Sequence, residues 1–108
     1  MDILWILLHL NMHLSEFQAL LKKLYIHKDL DRGIKSTYIW LIEEIGELAT
    51  LLNSQELDKT LISEELADII AWTISIANIL NIDIGEAIVR KYPNKCKKCK
   101  ASPCICVK

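Results

Sequence analysis

Glycine and proline are scarce: the 108 residues include three Gly and two Pro. So few turn residues exclude an all-β fold built on many tight hairpins. Gly33, Gly46 and Gly85 stand alone, which excludes a glycine-rich phosphate loop. No segment alternates strictly between apolar and polar residues, and no internal repeat is visible. Ser and Thr are scattered without a nucleophile motif, so a covalent hydrolase is not expected. His9, His13 and His27 lack ligand spacing. The apolar opening, residues 3–10, falls far short of the roughly 20 residues of a membrane-spanning helix. Asp2 and the lack of a small-residue cleavage site argue against a secretory signal, so a cytoplasmic location is expected. Residues 1–11 read as a helix extension or a ragged start, with Met12 as an alternative initiator.

What is present is apolar and split in charge. Hydrophobic residues make up 52% of the chain and charged residues 25%, enough for one folded domain and too much apolar content for disorder. The net charge of −1 hides two unlike parts. Residues 1–89 carry six Lys/Arg against fourteen Asp/Glu, a balance of −8, and residues 90–108 carry seven Lys/Arg and no acid, a balance of +7. All four cysteines lie in that basic end. Two parts are expected: a helical domain at 1–93 and a Cys-rich tail at 94–108.

Apolar spacing predicts four helices, over about residues 14–27, 37–52, 61–80 and 84–92. Ser15 with Gln18 and Asp83 with Glu86 fit capping boxes, Asp58 or Thr60 can cap the third helix, and Pro93 closes the fourth. Residues 29–33 read as a turn. Short connections favour an antiparallel four-helix bundle, an all-α fold.

A wheel at about 100° per residue gives the second helix a core stripe of Leu41, Ile45, Leu48 and Leu52, widened by Tyr38, Ile42 and Ala49. Glu44 and Glu47 flank a second apolar group, Trp40 and Leu51, and Glu43 falls on the solvent side. On the third helix Leu66, Ile69, Ile70, Thr73, Ala77 and Leu80 form the main stripe. Glu65 and Asp68 share a sector with Trp72. A helix apolar nearly all round is central or lies at a subunit interface. Each helix thus offers a carboxylate pair at i, i+3 on one face. Two such pairs facing each other repel, and a hard divalent cation such as Mg²⁺, which prefers oxygen ligands, relieves that.

These residues also carry a resemblance. Glu43-Glu44-Ile45-Gly46-Glu47-Leu48 and, with 17 residues between Glu47 and Glu65, Glu65-Leu66-Ala67-Asp68 resemble the E-E-x-x-E … E-x-x-D signature. That signature belongs to the MazG-like all-α nucleoside triphosphate pyrophosphohydrolases. Tyr25, Asp29-Leu30-Asp31-Arg32-Gly33, Trp40-Leu41, Asn81-Ile82-Asp83-Ile84-Gly85-Glu86-Ala87, Lys91-Tyr92-Pro93 and the Cys tail look like archaeal members. The resemblance implies Mg²⁺-dependent cleavage between the α- and β-phosphates of a nucleoside triphosphate, giving a monophosphate and pyrophosphate. House-cleaning of non-standard nucleotides is the common role. It assigns the metal to Glu44, Glu47, Glu65 and Asp68; Glu43, outside that set, is a secondary candidate for orienting a metal-bound water. Arg90 or Lys91 is the candidate phosphate contact, although many relatives carry a longer fourth helix here, where this chain turns at Pro93. Trp40, Trp72 and Asn78 are candidates for the base, and a homodimer or homotetramer is implied.

Cys96-x2-Cys99-x4-Cys104-x-Cys106 places four thiols within 11 residues. A structural Zn²⁺ site is expected; two short-range disulfides and free thiols stay open as alternatives. The acidic body and the lack of a basic helical stripe argue against a nucleic-acid partner, and no membrane partner is expected. The competing reading of the whole chain is a non-catalytic helical interaction or regulatory module with a zinc-binding tail. The acid constellation separates the two, because such a module has no need of it.

Overall fold

The computed structural model describes residues 3–107. Met1, Asp2 and Lys108, which enter the readings above, lie outside the described residues. Five helices follow one another: α1 Ile3–His9, α2 Leu14–Arg32, α3 Ile34–Leu52, α4 Lys59–Ile79 and α5 Ile84–Lys91. No strand occurs among the described residues. The four expected helices are α2 to α5. The apolar opening is a short helix of its own, broken from α2 at residues 10–13.

The expected turn at residues 29–33 shrinks to one residue. α2 runs through Arg32, and Asp29 and Arg32 pair at i, i+3 within its last turn. Only Gly33 breaks the helix. Its φ of 84° is a left-handed value that glycine adopts without steric cost, and its N–H still donates to Asp29 O at 3.0 Å. α3 begins at the next residue. The chain reverses again after α4 through Asn81, whose φ of 56° suits Asn better than most residues. There Ile82 N donates to Ala77 O at 2.8 Å and Asn81 N to Asn78 O at 3.3 Å, the bond pattern of a Schellman cap.

Two of the expected caps form. Asp58 Oδ1 accepts from Leu61 N at 3.1 Å, and Asp83 Oδ1 accepts from Glu86 N at 3.0 Å. The Ser15–Gln18 box does not. α2 starts two residues earlier than that box requires, with His13 as its cap and His13 N donating to Glu16 Oε1 at 3.3 Å. Gln18 is drawn elsewhere. Its Nε2 donates to Asn78 Oδ1 at 3.0 Å and to Ile82 O at 2.7 Å, and its Oε1 accepts from Ile84 N at 3.0 Å. One side chain on α2 therefore holds the α4–α5 corner.

α3 packs most extensively on α4, and α2 packs on α4 with lighter contacts to α3 and α5. The wheel's assignment of the core faces needs correction. On α3 the covered positions are Thr37, Leu41, Glu44, Leu48 and Leu51, while Tyr38, Ile42, Ile45 and Leu52 are exposed. On α4 the buried residues are Glu65, Ile74, Ser75, Ala77 and Asn78, and Leu66, Ile70 and Leu80 are exposed. Both helices carry apolar residues on two faces, and periodicity alone does not say which face meets a neighbour within the chain. The result is a thin core. Leu21, Ile74 and Ala77 are its fully buried hydrophobic residues among those described. The radius of gyration is 16.6 Å, against roughly 13 Å for a compact domain of about this length.

Candidate functional site

The face of α3 that meets α4 carries its acids into the contact. Glu44 and Glu47 lie one turn apart on α3, and Glu65 and Asp68 one turn apart on α4. One carboxylate oxygen from each of Glu44, Glu47 and Glu65 lies within 4.8 Å of the others. Glu65 is 9% exposed, and its Oε1 has no hydrogen-bond partner among the described residues. A buried carboxylate oxygen without a donor is costly. Three carboxylate oxygens gathered within 4.8 Å, on residues that include a buried Glu65 with one oxygen left without a donor, form a donor set that fits a hard divalent cation. Asp68 stands at the margin of this trio, near enough for its charge to act on both Glu44 and Glu47. Glu43 is exposed on the outer flank and also acts on Glu47.

The crowding shows in the acidities. The Glu44 carboxyl is pushed up to about 7, first by a hydrogen bond shared with Glu65, then by partial burial and the charges of Glu65, Glu47 and Asp68. Glu47 is also raised, first by the charge of Glu65. In the metal-free protein, Glu44 thus keeps its proton up to near neutral pH.

Next to the acids lies a cluster of opposite character. The Arg32 guanidinium carbon sits 5.0 Å from the Trp40 ring centre and 4.8 Å from that of Trp72. The two indoles meet edge to face at 5.1 Å. Arg32 Nη1 donates to Asp29 Oδ1 and to Thr37 Oγ1, each at 3.0 Å, and Thr37 Oγ1 donates to Gly33 O at 2.7 Å. Asp29 is 1% exposed and Thr37 fully buried. These contacts join the end of α2 to α3 and α4 beside the acids. The sequence points to Trp40 and Trp72 as site residues but not to Arg32 or Asp29. The available signal is the Trp40-bearing face of α3, which needs a cation or an aromatic partner; reading residues 29–33 as a turn hides it.

The remaining candidates lie apart from the acids. Asn78 is buried and bonded to Gln18 through both of its side-chain groups, Nδ2 donating to Gln18 O at 3.3 Å. Arg90 pairs with Glu86 at 2.7 Å on an exposed flank of α5, and Lys91 Nζ lies 5.9 Å from the Tyr92 ring centre.

The four cysteines form a second donor set. All are free thiols, with every Sγ within 4.8 Å of the others. Cys96 and Cys106 lie 3.7 Å apart and Cys99 and Cys104 3.9 Å apart, Sγ to Sγ. A tetrahedral ion with bonds of about 2.3 Å has ligand–ligand edges of about 3.8 Å. The loop is wound to fit: Lys100 N donates to Cys96 O at 2.9 Å, Cys96 N to Ala101 O at 3.0 Å, and Lys100 takes a φ of 64°. Amide groups point at the sulfurs, Ile105 N at Cys99 Sγ at 3.5 Å and Cys106 N at Cys104 Sγ at 3.3 Å. The Ile105 amide, with that of Ala101, draws the Cys99 thiol down to about 6. The backbone amides of Cys99 and Lys98 likewise lower Cys96, whereas Cys106 is raised, first by the Cys104 thiol.

The carboxyl shifts have a consequence for stability. Glu44 binds its proton more tightly in the folded chain, about 7, than at its ordinary value of 4.5, so between those values the folded state holds more protons than the unfolded one. Stability of the Mg²⁺-free protein therefore falls as pH rises through that window. Thermal unfolding followed by far-UV circular dichroism, which reports the helices and not the Cys tail, is expected to give a lower midpoint at pH 7.5 than at pH 5.5. Added Mg²⁺ is expected to raise the midpoint more at the higher pH. A Mg²⁺ effect equal at both pH values would contradict the crowding of the acids.

The family model of the MazG nucleotide pyrophosphohydrolase domain matches residues 32–100, more than half of the chain. The match spans both acidic pairs, the two tryptophans and the first two cysteines of the tail. No curated protein matches the chain. With an all-helical fold and acids converging between α3 and α4, the chain belongs to the MazG nucleotide pyrophosphohydrolase domain family.

Proposed function

We propose that the protein is a Mg²⁺-dependent nucleoside triphosphate pyrophosphohydrolase that cleaves between the α- and β-phosphates, acting in nucleotide house-cleaning in the cytoplasm. The observation that carries this is the convergence of Glu44, Glu47 and buried Glu65, with an oxygen of Glu65 left without a donor. Mg²⁺, when bound, supplies charge neutralisation for the phosphates and a lowered pKa for the attacking water. The chain's own residues do the rest. Glu44, Glu47, Glu65 and Asp68 hold the ion, and Glu43 on the outer flank orients water. Phosphoryl chemistry depends chiefly on positioning and electrostatics, and exposed Lys28, which lines a cavity with Asp68, is the cation best placed to meet phosphate oxygens. Arg90 and Lys91 on α5 are less well placed.

Glu65→Gln and Glu47→Gln are each expected to reduce Mg²⁺-dependent release of pyrophosphate by more than the roughly 10–100-fold that losing an outer partner of a metal site costs. Glu56→Gln, in the exposed loop before α4, is expected to leave it unchanged. Full activity in the Glu65 variant would remove the site from the reaction.

The exposed stripes of α3 and α4 support self-association. Tyr38, Ile42, Ile45 and Leu52, with Leu66, Ile70 and Leu80, leave more large apolar side chains in water than a small monomer tolerates. A second copy of the chain, as a homodimer or within a homotetramer, is the proposed cover. Light scattering is expected to give at least a dimer for the natural chain and a monomer for Ile45→Glu/Ile70→Glu; a monomeric natural chain would rule the assembly out.

The tail, residues 94–108, is proposed to be a separate structural Zn²⁺ site. Sulfur separations close to a tetrahedral edge support zinc over disulfides, whose sulfurs lie about 2.05 Å apart. Protein purified without chelator is expected to carry about one Zn²⁺ per chain by elemental analysis, lost in Cys99→Ser/Cys104→Ser, with the far-UV spectrum of the helices retained. Zinc content unchanged in that variant would contradict the assignment.

A further inference from the structure

The chain beyond α5 contains neither helix nor strand over residues 92–107. Among the described residues, the hydrogen bonds of residues 96–106 stay within the cysteine loop. The backbone of the loop is thus committed to the sulfurs and to itself, whereas its side-chain charge is not. Residues 90–108 carry a balance of +7 without one acid, and the −2 of a Zn²⁺ held by four thiolates leaves +5 when the proposed site is filled. Lys95, Lys97, Lys98 and Lys100 are all exposed, and none of them forms an ion pair among the described residues.

A cavity of about 470 Å³ opens among these lysines. Lys95, Lys97 and Lys98 line it with Tyr92, Asn94 and Ser102, beside three of the four cysteines. Tyr92 is 70% exposed, an aromatic ring left in water next to cations. Lys100 adds a second sign. Its φ of 64° is left-handed, a value that glycine takes freely and lysine only at a cost. A lysine placed where glycine folds more easily implies a use for its charge. Unpaired cations that follow phosphates, with a ring that stacks on an unpaired base, are the parts of a site for single-stranded nucleic acid. A duplex is read by a helix or a two-stranded ribbon in its major groove, and the described tail has neither. Ile105 and Val107 are exposed as well, but two side chains fall short of the broad apolar face that seats a segment in a lipid surface.

We infer that the cysteine tail is a docking site for single-stranded nucleic acid, in which Lys95, Lys97, Lys98 and Lys100 hold phosphates and Tyr92 stacks on a base. This goes beyond the pyrophosphohydrolase reading and draws on the zinc reading, since an ordered loop is what gathers the lysines. The balance of −8 over residues 1–89 argues against nucleic acid along the helices and confines a polyanion to the tail. So short a contact engages three or four phosphates. The logarithm of the binding constant is therefore expected to fall against the logarithm of salt concentration with a slope of about −2 to −3.

The test titrates the full chain, without Mg²⁺ or chelator, into a fluorescein-labelled oligothymidylate and reads anisotropy. Binding is expected at low salt, with that slope, and tighter than to a duplex of the same length. Lys95→Ala/Lys97→Ala/Lys98→Ala is expected to weaken it by about tenfold or more, and Tyr92→Ala by about fivefold or more. Lys100→Gly, which relieves the backbone, is expected to make the slope shallower by about 0.7. Zinc content and the far-UV spectrum are expected to stay unchanged in all three variants, so that weaker binding is not loss of the loop. No binding at low salt would overturn the inference, and zinc content measured on the same sample shows whether the zinc reading falls with it. Binding by protein that carries no zinc would keep the docking site and remove zinc from it. Equal binding of the duplex, or an unchanged affinity in the lysine or the Tyr92 variant, would overturn the inference. So would tighter binding to vesicles of phosphatidylserine and phosphatidylcholine than to the oligonucleotide.

Discussion

Repulsion among carboxylates between α3 and α4 is the constraint around which the molecule is arranged. Glu44, Glu47 and Glu65 converge where a helical pair would ordinarily place Leu or Ile, and Glu65 is buried there with an unpartnered oxygen. Left alone, such a cluster pushes helices apart or takes up protons, and the rise of Glu44 to about 7 is the second response. The rest of the structure resists the first. Gly33 turns α2 directly into α3, Arg32 clamps Trp40 to Trp72 across α3 and α4, and Gln18 fixes the α4–α5 corner.

The same arrangement explains the thin core. With acids occupying the inner face of the α3–α4 contact, fewer apolar residues are buried within one chain, and Ile42, Ile45, Leu66 and Ile70 face outward. A second copy covering that stripe would complete the hydrophobic burial without disturbing the acids. The cysteine tail follows separate physics: its loop is held by its own backbone bonds and by amides directed at sulfur.

The acids are legible in the sequence because two i, i+3 pairs occupy aromatic-bearing sectors where amphipathic helices carry apolar residues. The helices are legible from apolar spacing, and the cysteine set from its density. Three features are not. Periodicity misassigns the inner faces of α3 and α4, because both helices are apolar on two sides. Asp29 and Arg32 read as part of a turn, because charged residues before a glycine look alike in a loop and in a last helical turn; the partners that hold Arg32, Thr37 and the two indoles, lie outside that segment, in α3 and α4. Gln18 matches a capping pattern that loses to three cross-helix hydrogen bonds.

The central claim is that these acids face one another in order to share a divalent cation. Calorimetric titration with Mg²⁺ at pH 6.5, in two buffers of different ionisation enthalpy, tests it most directly. Because a ligand must be deprotonated to bind, and Glu44 titrates at about 7, binding at pH 6.5 should release a proton, and at pH 8.5 release should largely vanish. Absence of Mg²⁺ binding, or binding with no proton release at either pH, would contradict it.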